Sequence, residues 1–144
     1  MSTHKKENLK EKVLELEASW KRALADYQNL QKRVIEERIQ IGAHANEMLL
    51  RKMLPVLDNL EKIEEHLNDS GLKITIKEFK QILKESGLLE VETDQKDFNP
   101  HEMEATDAIE GEKNKVLKTL QKGYFLNGKL IRPARVLVGR GIGE

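Results

Sequence analysis

The chain has 144 residues, with Lys+Arg and Asp+Glu both at 25, and no cysteine. A net charge of zero argues against general nucleic-acid binding, which draws its affinity from excess basic charge, and the missing cysteines exclude disulfides and thiolate metal sites. Charged residues make up 35% and aromatics 4%, a balance that suits an elongated, heavily solvated molecule better than a globule with a large core. No apolar run approaches the ~18 residues of a membrane span. The opening residues Met1-Ser2-Thr3-His4-Lys5-Lys6-Glu7 lack a signal-peptide apolar region. A reducing, cytoplasmic setting without a membrane partner is expected.

The first long element organises the rest. Leu9, Val13, Leu16, Trp20, Ala23, Tyr27, Leu30 and Val34 recur at alternating steps of four and three, pass over Glu37 and resume at Ile41. That spacing is a heptad seam, a narrow apolar stripe that one helix cannot bury. No proline precedes Lys52 and the only glycine is Gly42, so a helix over about residues 5–52 would be on the order of 70 Å long. No other helix of the chain could cover it, and a second copy of the chain is the expected partner. Trp20 and Tyr27 are large for a tight two-stranded coil and predict loosened packing. Beyond Glu37 the apolar positions drift to Ile35, Ile39 and Ile41, so Glu37 is expected to be left exposed by the drift in preference to the alternative, a buried carboxylate that sets the register.

A denser apolar pattern from Met48 to Leu67 surrounds Pro55. Proline inside a helix removes a donor and clashes one turn back, so a break is expected at Leu54-Pro55, with a second helix from there to about Leu67. Asn68-Asp69-Ser70-Gly71 is a turn and capping cluster. Ser70 is expected to cap a third helix carrying Leu72, Ile76, Phe79, Ile82 and Leu83, and Gly87 to stop it. Two short helices from each of two chains would make a small bundle.

After Gly87 the period becomes strand-like. Strands are expected over 89–92, 104–109, 116–124 and 135–138, with turns at 93–97 and 110–114 and a two-residue hairpin at Asn127-Gly128. The fold class is therefore α+β: a long dimerising helix (1–54), short helices of a dimer bundle (55–87) and a small all-β domain (88–144).

Catalytic chemistry finds little footing. His4, His44, His66 and His101 lack ligand spacing, and Glu36-Glu37 and Glu64-Glu65 read as solvated helix charge rather than an acid–base pair. Gly139-Arg140-Gly141-Ile142-Gly143 has no helix behind it to receive a phosphate. Neither an enzyme, a metal nor a cofactor is expected. Two basic groups remain: Lys32, Arg33 and Arg38 on the helix, and Lys129, Arg132, Arg135 and Arg140 around the hairpin and last strand. Surface solvation accounts for most such charges; as a binding surface, without interleaved aromatics, they suit an acidic protein better than nucleic acid.

Five ordered motifs resemble one family. Gln121-Lys122-Gly123-Tyr124-Phe125-Leu126-Asn127-Gly128-Lys129-Leu130-Ile131-Arg132-Pro133-Ala134-Arg135-Val136 looks like the signature of GrpE, the nucleotide exchange factor of DnaK-type chaperones. The segments 25–33, 54–61, 71–75 and Phe98-Asn99-Pro100 match further family motifs in order and spacing. The resemblance implies a homodimer whose β-domain engages the nucleotide-binding domain of the chaperone, opens it and releases ADP. It carries partner contacts to Lys32, Arg33, Gly71, Tyr124, Leu126, Asn127, Gly128, Lys129, Arg135 and Val138. Some of these also have local readings: Asn127-Gly128 as the hairpin turn, Tyr124 as core, Gly71 as a helix-start residue. Met103 stands where the family usually has histidine, Arg135 where an apolar residue is commoner, and the acidic tail many members carry before the long helix is nearly missing. The competing expectation is a dimeric coiled-coil scaffold whose β-domain docks an unrelated protein.

Overall fold

A computed structural model describes residues 2–141 as two helices followed by six strands. Helix α1 spans Ser2–Leu67 and α2 Ser70–Glu85; the strands are β1 (Leu88–Glu90), β2 (Met103–Lys113), β3 (Val116–Gln121), β4 (Tyr124–Leu126), β5 (Lys129–Arg132) and β6 (Ala134–Gly139). The chain divides into two compact units, with the boundary between Ala45 and Asn46. The α+β class expected from the sequence is the one observed.

The first unit is helix alone. Its seam is uncovered by its own chain: Leu9, Val13, Leu16, Trp20, Tyr27, Leu30 and Ile41 are all exposed, Trp20 at 62%. Ala23 is exposed as well and Val34 is half-buried. Glu37 is exposed in the single chain, 3.6 Å from Arg33.

The expected break at Leu54-Pro55 does not occur. α1 continues through Pro55 to Leu67, so the described residues form two helices where three were expected. The reason is packing: Leu54 and Leu57, on either side of the proline, are each only 1% exposed. Burying two leucines is worth about 1.5–3 kcal/mol apiece, enough to offset the ~3 kcal/mol that an interior proline costs, while the ring itself faces solvent. The cap of α2 also differs. Asp69, not Ser70, is the N-cap, its carboxylate accepting the Leu72 N–H at 2.8 Å. Gly87 does follow the last helical turn, with φ +96°, where a side chain would be strained.

The strands form two three-stranded sheets, ordered β1-β4-β5 and β2-β6-β3. The first is antiparallel throughout; in the second β2 runs parallel to β6 and β3 antiparallel. The single strand expected over 116–124 is two strands in different sheets. The chain crosses between them at Lys122-Gly123, where a Cβ on Gly123 would stand 2.3 Å from the Ala134 nitrogen. The turn expected at 110–114 is instead strand up to Lys113, with the bend at Asn114 (φ +66°). A bulge in β2 against β6 makes this possible, since Ile109 and Lys113 both pair with Gly139. The Asn127-Gly128 hairpin is as expected, with both residues at positive φ (+48° and +83°).

Two cores flank the β1-β4-β5 sheet. On one face Tyr124, Leu126 and Ile131 pack with Leu50, Leu54 and Leu57 of α1 and Ile76 and Leu83 of α2. On the other, Phe125 and Leu130 pack with Met103, Val116, Ala134 and Val136. The β4–β5 hairpin is therefore packed on both faces, while Leu89 of β1 stays exposed.

Candidate functional site

The hairpin lies against the segment of α1 that follows Asn46, and charge as well as apolar surface holds it there. Glu47, Asp58 and Glu61 are separated by eleven and three residues, close to whole helical turns, so they share one stripe of α1. Opposite them stand Lys129, Arg132 and Lys122, paired at 3.0, 2.7 and 2.9 Å.

Each pair has its own character. Lys129 Nζ donates to both Glu47 oxygens, at 3.3 and 3.0 Å, and Arg51 grips the same carboxylate at 2.8 Å. These two donors hold the Glu47 carboxyl below its usual range, Lys129 contributing most. Arg132 donates to both oxygens of Asp58, at 2.7 and 2.9 Å, and to the Lys122 carbonyl at 2.9 and 2.6 Å. Its guanidinium also sits 5.3 Å from the centre of the Tyr124 ring. Glu61 forms ion pairs with Lys80 at 2.6 Å and Lys122 at 2.9 Å. Burial works against the Glu61 charge, but the two lysines outweigh it and hold the carboxyl below the ordinary range. Burial also opposes the Lys122 charge, and the carboxylates of Glu61 and Glu90 more than compensate, raising its ammonium. The Tyr124 phenol is pushed up, first by burial and then by the charges of Glu61 and Glu90, and stays protonated.

The residues singled out from the sequence separate into three groups. Asn127, Gly128, Lys129 and Arg135 are exposed around the hairpin and β6. Gly71 is exposed in the first turn of α2, and Lys32 and Arg33 are exposed on the first helical unit, Arg33 lying 3.6 Å from Glu37. Tyr124 and Leu126 are buried, at 5% and 8% exposure, in the core beneath the hairpin. Val138 is half-buried against the second core.

Three of the four basic residues around the hairpin, which the sequence suggests as solvated charges or an acidic-partner surface, are paired within the chain. The Arg132 side chain is only 15% exposed on Asp58, Lys129 meets Glu47, and Arg135 lies 4.0 Å from Glu104. Glu47 and Asp58 were not singled out as its partners. Their eleven-residue spacing was the available signal, masked by the many other helical carboxylates. All four histidines are exposed, and among the described residues no group of three or more His, Cys, Asp or Glu could hold a metal ion. Nor is any helix among them long and apolar enough to cross a membrane.

A long helix with an open heptad stripe, a shorter helix and a two-sheet β-unit clamped to the helix by ion pairs define an α+β protein of the coiled-coil type. The family model of GrpE matches residues 2–140. The chain is 34% identical to Protein GrpE of Campylobacter concisus, over 93% of this chain and 81% of that protein. It is 37% identical to Protein GrpE of Aromatoleum aromaticum, over 92% and 73%. With Protein GrpE of Lactobacillus acidophilus the identity is 33%, over 92% and 75%. The chain belongs to the GrpE family.

Proposed function

We propose that this chain is a homodimeric nucleotide exchange factor that binds the nucleotide-binding domain of a DnaK-type chaperone in the cytoplasm and accelerates ADP release. The observation that carries this reading is family membership over residues 2–140, which takes in both the seam and the hairpin signature. Physically the action is linkage: a factor that binds the open, nucleotide-poor chaperone better than the closed one loosens the nucleotide by that difference. No bond is made or broken.

Within this reading the seam residues Leu9, Val13, Leu16, Trp20, Ala23, Tyr27, Leu30, Val34 and Ile41 pair two copies of the chain. Their exposure supports this, because a stripe of that length is costly to leave in water. Residues 1–54 then serve pairing, and 55–87 contribute to a dimer bundle. The exposed Val56, Ile63, Leu67, Ile74 and Ile82 on α1 and α2 are the apolar surface such a bundle would cover. The β-domain, 88–144, engages the chaperone. Asn127, Gly128, Lys129 and Arg135 present its contact surface, with Lys32, Arg33 and Gly71 as further contacts and Val138 supporting them from the strand.

The test is stopped-flow release of labelled ADP preloaded on a DnaK-type chaperone, with and without the protein. Release should quicken with concentration and saturate. An unchanged rate removes the exchange reading and leaves a dimeric scaffold that docks some other protein.

A further inference from the structure

Apolar contact holds the β4–β5 hairpin on α1 without fixing its angle, because the hydrophobic effect has no direction. A bidentate guanidinium–carboxylate pair does fix an angle, since two parallel bonds define a plane. Arg132 closes β5, and Lys122 lies just before the start of β4. From one guanidinium Arg132 reaches the Asp58 carboxylate twice and the Lys122 carbonyl twice, all between 2.6 and 2.9 Å. It therefore ties both open ends of the hairpin to Asp58, beside the Lys122–Glu61 pair one turn further along α1. At the turn the second tie, Lys129 to Glu47, is much looser, with the Lys129 side chain 67% exposed against 15% for Arg132. One end is a fixed pivot and the other can be released to an incoming acidic group.

We propose that Arg132, through Asp58, is the positioning residue of the exchange reaction: it anchors the hairpin so that force from a bound chaperone opens the chaperone instead of rocking the hairpin. This rests on the exchange-factor reading. The Arg132 side chain, 15% exposed, is spent on Asp58 and the Lys122 carbonyl, and it acts through the aim of the turn residues 127–129.

Two near-isosteric variants test it, Arg132→Lys, which keeps the charge and loses the fork, and Asp58→Asn, which keeps the shape and loses the charge. ADP release is measured against protein concentration, so that half-saturation reports binding and the plateau reports opening. Amide hydrogen exchange over residues 124–132 is measured on the same samples. Both variants should keep wild-type mass and helical circular dichroism and a half-saturation within about twofold, while the plateau rate falls about tenfold and amide exchange in the hairpin quickens about tenfold. A plateau equal to wild type overturns the proposal. So does a raised half-saturation at an unchanged plateau, which would make Arg132 a contact. Should Arg132→Lys not fold, Asp58→Asn decides, because it leaves the bonds to the Lys122 carbonyl in place. A wild-type protein that leaves ADP release unchanged would defeat the exchange reading before any variant is compared. Amide exchange, which needs no chaperone, would still judge the anchor: unaltered protection in Arg132→Lys overturns it.

Discussion

Tyr124 and Phe125 are neighbours in sequence and face opposite cores of the molecule, Tyr124 against the helices and Phe125 against the second sheet. One short strand therefore couples the helical and β halves of the second unit. Replacing Tyr124 by Ala should cost about 3–5 kcal/mol, as for other large-to-small core changes. Urea denaturation followed by circular dichroism should show the helical and β signals of this unit shifting together to a lower midpoint. Separate transitions would mean that the strand does not couple the two cores.

The carboxyls of Glu47 and Glu61 lie below their ordinary range in the folded protein, held there by lysine and arginine partners that outweigh burial at Glu61. The unfolded chain then binds more protons on acidification than the folded one. Their contribution to stability is complete above about pH 4.5 and is lost as pH falls through the depressed folded values. Melting temperature measured from pH 7 to pH 3 should drop steeply below about pH 4.5. Glu61→Gln should be less stable at pH 7 and show a shallower acid slope.

Pro55 sits in an unbroken helix and its ring faces solvent. Pro55→Ala restores a backbone donor and removes the clash with the turn before it. It should stabilise the second unit by about 1–3 kcal/mol, read as a higher urea midpoint at unchanged slope. A loss of stability would show that the proline relieves strain at that turn.

If the open seam pairs two chains, light scattering should give twice the 16.6 kDa chain mass. The double variant Leu16→Asp/Leu30→Asp should halve that mass and reduce the helical signal, because an isolated amphipathic helix is marginal in water. Wild-type protein that remains at single-chain mass at micromolar concentration would rule out pairing.

Arg33→Ala and Lys129→Ala remove exposed charges on the proposed contact surfaces. Each should raise the half-saturating concentration for ADP release by about threefold to tenfold, more at low salt than at high, without change in mass. Glu47→Gln should move Lys129 the other way, since it weakens the pair that an acidic partner must displace. Loss of the dimer in either alanine variant would mark these residues as structural.

The heptad spacing from Leu9 to Ile41, the turn at Asn127-Gly128 and the glycine after α2 were legible in the sequence because each is a local rule: a period, a pair of positive φ angles, a stop. The α+β class followed from them. Three things were not legible, and each depends on residues far apart in the chain. Pro55 signalled a break, and only the cores closing over Leu54 and Leu57 kept the helix whole. The stretch 116–124 alternated as one strand, yet the close approach of Gly123 to Ala134 splits it between two sheets. Lys129 and Arg132 read as solvated charges or an acidic-partner surface until the fold brought Glu47 and Asp58 opposite them. Sequence determined the order of helical and strand-forming regions, and that one stripe lacks a cover, but not where every element starts and stops. Tertiary structure decided which charges are already satisfied and which remain on the surface, because an ion pair across 74 or 82 residues leaves no periodic trace in the chain.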